Sequence, residues 1–192
     1  TYREYVPTQS KIDYITKSFG GKKNLLLMDN NVLASPRFPE IIDEIISMGF
    51  TKDAQYSPDN NFEIYMENLK KGKDENSYLI SIYTILMEFK TQLLNKKRKG
   101  SRTDYAYYLN ILIENRLNDR LTISKNGLMN AYDDLSPIIE KYRKKSKSKV
   151  YVDFNQGTDA RYVTDEIMKK MSKLPIRPLR IAFDYIGMKD AY

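Results

Sequence analysis

Apolar positions along the chain fall into two rhythms. The run from Asn24 to Met28 is short and continuous, and is closed by Asp29-Asn30-Asn31 and Ser35-Pro36. Turn chemistry behind so short a run predicts a strand buried on both faces, as in a parallel sheet. From Phe38 to Met48, Ile41, Ile42, Ile45 and Ile46 recur at helical spacing, with Gly49 at a C-terminal cap position. Together these residues predict one strand-loop-helix unit. A second runs from Lys149 through Phe154, across a polar loop, to a helix from about Asp165 to Leu174. Pro175 and Pro178 then bracket the link to a third apolar run, Leu179 to Phe183, which ends at Asp184. Alternation of this kind predicts an α/β fold with parallel strands and right-handed crossovers.

Between these units the rhythm becomes purely helical. Asn61–Lys70, Ser77–Leu94, Arg102–Leu117 and Ile123–Tyr142 each space their apolar residues as helices do. Ile80, Tyr83, Ile85, Leu86, Phe89 and Leu93 suit one broad packed face, and Tyr105, Tyr108, Leu109, Leu112 and Ile113 another. Breaks fall at Lys71-Gly72-Lys73, Lys96–Ser101 and Ser124–Gly127. The organisation expected is an α/β part made of residues 1–57 and 147–192, interrupted by an all-helical insertion over 58–146.

The densest chemistry lies after the second strand. Val150, Tyr151 and Val152 lead into Asp153, Asn155, Gln156, Asp159 and Arg161, with Gly157 where the backbone must bend or admit something close. The carboxyl end of a strand is where α/β sheets place their ligands. A plainer reading makes this a strand, a glycine turn and a helix start, with Thr164 as N-cap and Asp165 and Glu166 in the first turn. It accounts for Gly157 and Thr164 but leaves the other polar residues unused, so a ligand loop is the better expectation.

Composition narrows the chemistry. Neither cysteine nor histidine occurs in the 192 residues, which excludes disulfides, thiolate-held clusters, Cys/His zinc sites and His-based triads. A carboxylate-only magnesium or calcium site stays open, although no EF-hand spacing occurs. No run approaches the roughly 18 apolar residues of a membrane span, and no signal-peptide core is visible, so a cytoplasmic location is expected. The net charge of +7 is concentrated centrally: Thr51 to Ser148 holds 18 Lys and Arg against 13 Asp and Glu.

Four blocks in order resemble the radical S-adenosylmethionine (radical SAM) proteins. They are Leu25-Leu-Leu-Met-Asp-Asn-Asn-Val-Leu-Ala-Ser-Pro36, Ile41-Ile-Asp-Glu-Ile-Ile-Ser-Met-Gly-Phe50, Val152-Asp-Phe-Asn-Gln-Gly-Thr-Asp-Ala-Arg161 and Ile176-Arg-Pro-Leu-Arg-Ile-Ala-Phe-Asp184. They cover roughly half of the chain and look like consecutive units from the middle of that family's partial (β/α) barrel. The resemblance implies a fragment of a larger enzyme that would bind SAM and a 4Fe–4S cluster and generate a 5′-deoxyadenosyl radical on an unknown substrate. The family's CxxxCxxC loop is missing, as is its usual Gly-Gly-Glu at the second strand, so the fragment alone is expected to be inactive and to hold no cofactor. By position, the resemblance sets Asp29, Asn30 and Asn31 near the methionyl amino group. It sets Asn155, Gln156 and Asp159 toward the ribose or substrate, Arg161 toward a carboxylate, and Asp184 on the same rim. Local roles compete: Asp29 or Asn31 as turn caps, Asp159 paired with Arg161, and Asp184 capping the next turn. A truncated barrel would also leave a free apolar sheet edge, which dimerisation could cover.

A rival of another class comes from the basic runs Lys96–Arg102 and Lys141–Lys149. With Tyr105, Tyr107 or Tyr108 available for stacking, they would suit a helical nucleic-acid-binding module. Lysine-rich helix ends and core tyrosines are the plainer alternative, and no RRM, KH or zinc-finger signature is present.

Overall fold

Alternation decides how the strand Tyr151–Phe154 faces: Val152 and Phe154 are buried, while Tyr151 and Asp153 are not. In the computed structural model, which describes residues 9–28, 32–96, 101–155 and 158–182, the chain forms two compact units. The first takes in Thr1–Thr16, Gly21–Pro58 and Ser146–Tyr192, and the second Lys17–Gly20 and Asp59–Lys145.

The first half of the chain forms α1 (Gln9–Phe19), β1 (Asn24–Leu27), α2 (Phe38–Ser47) and β2 (Gln55–Tyr56). Helices α3 (Asn61–Lys70), α4 (Glu75–Leu94), α5 (Ser101–Glu114) and α6 (Lys125–Tyr142) follow. The chain then makes β3 (Ser148–Lys149), β4 (Tyr151–Phe154), β5 (Thr158–Asp159), α7 (Asp165–Met171) and β6 (Ile181–Ala182).

The α/β unit is built on β1 and β4, which pair in parallel with Asn24 opposite Tyr151 and Leu27 opposite Phe154. On the far side of β4, Ile176 makes a parallel bridge to Val152, and Arg177 N donates to Val152 O at 2.9 Å. The core of this unit gathers Phe38, Ile42 and Ile45 of α2, Met171 of α7, and Val152 and Phe154 of β4. Each such aliphatic or aromatic side chain contributes about 1.5–3 kcal/mol when fully buried. Gly49 ends α2 at φ +90°, where Phe50 N reaches back to Ile45 O. Thr164 caps α7 by accepting from Ile167 N at 3.3 Å.

Three expectations are corrected here. Strand β1 is partly buried on one face only, through Leu25 and Leu27, and Leu26 is 49% exposed, because α2 and α7 share a single core with it. The third apolar run does not extend the sheet beside β4: Ile181–Ala182 pairs in parallel with Thr158–Asp159, and Ile176 takes the place next to β4. Helix α7 stops at Met171, short of Leu174. What is observed is a mixed α/β unit with parallel strands, and no barrel is formed among the described residues.

The helical unit carries its own core. Phe62, Met66, Leu69, Tyr78, Ile82, Leu86, Phe89, Tyr108, Leu112, Leu128, Leu135 and Ile139 are all buried together from α3, α4, α5 and α6. Ser124 caps α6 by accepting from Gly127 N at 3.1 Å, so the expected break at Ser124–Gly127 is a helix start whose third residue is the glycine. A Cβ on Gly127 would stand 2.6 Å from Asn115 O, which explains why the first turn of α6 carries glycine there. On α4 the buried face runs through Tyr78, Ile82, Leu86, Phe89 and Leu93, while the expected Ile80 is exposed. On α5, Ile111 replaces the expected Ile113 in the core.

Candidate ligand-facing surface of the sheet

The two parallel strands end side by side, and β4 delivers a polar group at its carboxyl end. Strand β1 runs into Met28, which is exposed, and β4 runs into Asn155, whose N–H donates to Leu27 O at 3.3 Å. The Asn155 side-chain amide lies 4.0 Å from Met28 Sδ, so the two strand ends are adjacent. Among the site residues expected from sequence, Asp29, Asn30, Asn31, Gln156 and Asp184 lie outside the described residues. Val32 and Leu33, just beyond the first three, are buried in a 3-10 turn that contacts β5. The 3-10 turn that follows β1 and the strand β5 that follows β4 are therefore in contact.

Asp159 and Arg161 serve each other. The Asp159 carboxylate accepts Arg161 N at 3.0 Å, Nε at 2.9 Å and Nη2 at 2.6 Å, a bidentate pair closed over a 3-10 turn. Asp159 is buried, and the guanidinium beside it holds its carboxyl below the usual carboxylate range. Their mutual pairing, one of the two roles open from sequence, is the one formed here.

Among the described residues the opposite face of the sheet is the more open one, which sequence reasoning did not single out. Leu25, Leu27, Val152 and Phe154 point into the core with α2 and α7, so Leu26, Tyr151 and Asp153 project from the opposite side. Asp153 pairs with Arg180, and the Tyr151 ring lies 5.4 Å from Lys23 Nζ and 5.3 Å from the Arg177 guanidinium. The available signal was the i, i+2 alternation Tyr151, Asp153, Asn155 within an otherwise apolar strand.

Three of the six cations in the basic run at 141–149 are paired with acids of the helical unit. Lys141 reaches Asp104 at 2.6 Å, while Arg143 and Lys145 both reach Glu140, at 2.8 and 2.7 Å. Those two cations hold the Glu140 carboxyl down to about 2. Lys97–Gly100 of the other run lie outside the described residues, and Lys96 sits 4.6 Å over the Tyr142 ring. Of the three tyrosines proposed for stacking, Tyr108 is fully buried and donates to Leu86 O, its hydroxyl pushed up by burial. Tyr107 donates to Asp134 at 2.6 Å, and Tyr105 packs against the core. A cleft of about 180 Å³ opens beside α3, floored by Phe62, Ile85, Phe89 and Ile139.

Among the described residues no group of three or more acidic, His or Cys side chains could hold a metal ion, and no helix is long and apolar enough to cross a membrane. No protein-family model, curated protein or solved structure matches the chain.

Proposed function

We propose that the α/β unit is the SAM-facing segment of a radical SAM-type barrel. The observation that carries this reading is the parallel pair β1 and β4, with α2 and α7 packed on one face and with Met28 and Asn155 adjacent at the carboxyl end. Strands followed by helices on one side leave the other side and the strand ends for a ligand. Three of the four sequence blocks that resemble the family fall on or run on from β1, α2 and β4, and the fourth follows α7.

The residues present do not fit the iron–sulfur cluster, because the chain contains no cysteine to ligate it. On this reading the cluster is held by cysteines outside these 192 residues, and no radical step is assigned to the residues here. Their share is to bind and orient SAM. The Asn155 amide offers both a donor and an acceptor to a ribose, and Asp29, Asn30 and Asn31 offer oxygens to the methionyl ammonium. Arg161 enters only by holding Asp159 in place.

Nuclear magnetic resonance mapping with SAM tests the arrangement. The expected result is saturable shifts at Met28, Asn155 and Thr158, weakened about fivefold or more by Asn155→Ala, the loss of one or two hydrogen bonds to ligand. Shifts confined to the helical unit would overturn it. The nucleic-acid reading of the helical unit draws less support, since Lys141, Arg143 and Lys145 already have carboxylate partners and Tyr108 is core.

A further inference from the structure

We infer that Lys23 and Arg177 form an anion site beside the ring of Tyr151, on the sheet face away from α2 and α7, for a ligand bearing a phosphate or carboxylate group. The two cations spring from backbone pinned on opposite sides of β4. Tyr151 N donates to Lys23 O at 3.2 Å, and Arg177 N donates to Val152 O at 2.9 Å. Their charged ends converge on one ring, and Arg177 Nη1 also donates to the Tyr151 hydroxyl at 3.3 Å. Neither has a carboxylate partner among the described residues, and the acid nearest along the strand, Asp153, is engaged by Arg180.

Two like charges brought to one ring repel, and a cation–π contact at an exposed site returns only about 0.5–1 kcal/mol each. An anion that both side chains can reach offsets the repulsion and gains charge-assisted hydrogen bonds, with the planar guanidinium matching a phosphate or carboxylate edge. Lys23 and Tyr151 stand at the amino ends of β1 and β4, the opposite end from Asn155. The site is therefore separate from the SAM-facing rim, and either can fail without the other.

The test is a nuclear magnetic resonance titration of the full 192-residue chain with inorganic phosphate, sodium acetate and sodium chloride in parallel. Phosphate or acetate is expected to move Tyr151 and Arg177 saturably, with a dissociation constant on the order of 1 mM, and the stronger of the two identifies the ligand's anionic group. Lys23→Gln with Arg177→Gln is expected to weaken binding about tenfold or more while the remaining spectrum is unchanged. Arg177→Lys, which keeps the charge but not the fork, falls between. Asp153→Asn, which releases Arg180, is expected to tighten binding. Shifts that chloride reproduces at equal ionic strength, or Gln variants that bind as well as the parent, would overturn the site.

Discussion

Asn60, which opens the helical unit, donates its side-chain amide to Glu140 near that unit's end, 3.0 Å away. The same carboxylate takes Arg143 and Lys145, so the two ends of the helical insertion meet at one acid. In the α/β unit, the residues just outside these ends pair as the antiparallel strands β2 and β3. A sequence can interrupt an α/β fold with some ninety residues only if entry and exit lie close together.

Acid should weaken the helical unit through Glu140. Its carboxyl is lowered from 4.5 to about 2 by hydrogen bonds from Arg143 and Lys145. Because the folded-state value is depressed, the stabilisation is complete above pH 4.5 and is lost as pH falls toward 2. Glu140 is partly exposed, so solvent screening holds the contribution to about 1 kcal/mol. Urea unfolding of the parent and Glu140→Gln is expected to differ at pH 6 and converge near pH 2; an equal difference at both would contradict the assignment.

Gly127→Ala should destabilise the helical unit by about 1–3 kcal/mol, since the added methyl meets the Asn115 carbonyl at 2.6 Å. In an unconstrained helix the same change would be stabilising. Thermal unfolding gives the sign directly.

Tyr108 separates packing from hydrogen bonding. Tyr108→Phe removes only the hydroxyl that donates to Leu86 O and should cost about 1 kcal/mol, whereas Tyr108→Ala also empties the buried ring site and should cost about 3–5 kcal/mol. Nearly equal losses in denaturant melts would mean that the ring does not contribute as packed.

The pair Asp159 and Arg161 should show a coupling of about 1 kcal/mol in a double-mutant cycle with alanine, given one buried and one half-exposed partner. A coupling near zero would release Arg161 for the ligand carboxylate that its position suggests.

Helix positions were read closely because burial repeats at a fixed spacing: Asn61–Lys70 was found as expected, and α4, α5 and α6 begin or end within a few residues of the predicted bounds. The faces were read less well. Ile80 and Ile113 fall on the borders of their apolar stripes, where spacing alone cannot assign them. Helix α1 was missed because Ile12, Ile15 and Phe19 are sparse among polar residues. Strands β2 and β3, two residues each, are fixed by a pairing across more than ninety positions that no local pattern encodes. At the candidate site, the polar loop after β4 was legible from composition, but the Lys23, Tyr151 and Arg177 cluster joins three separate segments and emerges only once β4 lies between them.

Calorimetric titration of the chain with SAM tests the central reading most directly. The account predicts saturable one-site binding with a dissociation constant on the order of 1 mM or tighter, weakened by Asn155→Ala and indifferent to Lys23→Gln. No heat above dilution at about ten times that concentration, with the chain folded, would contradict it.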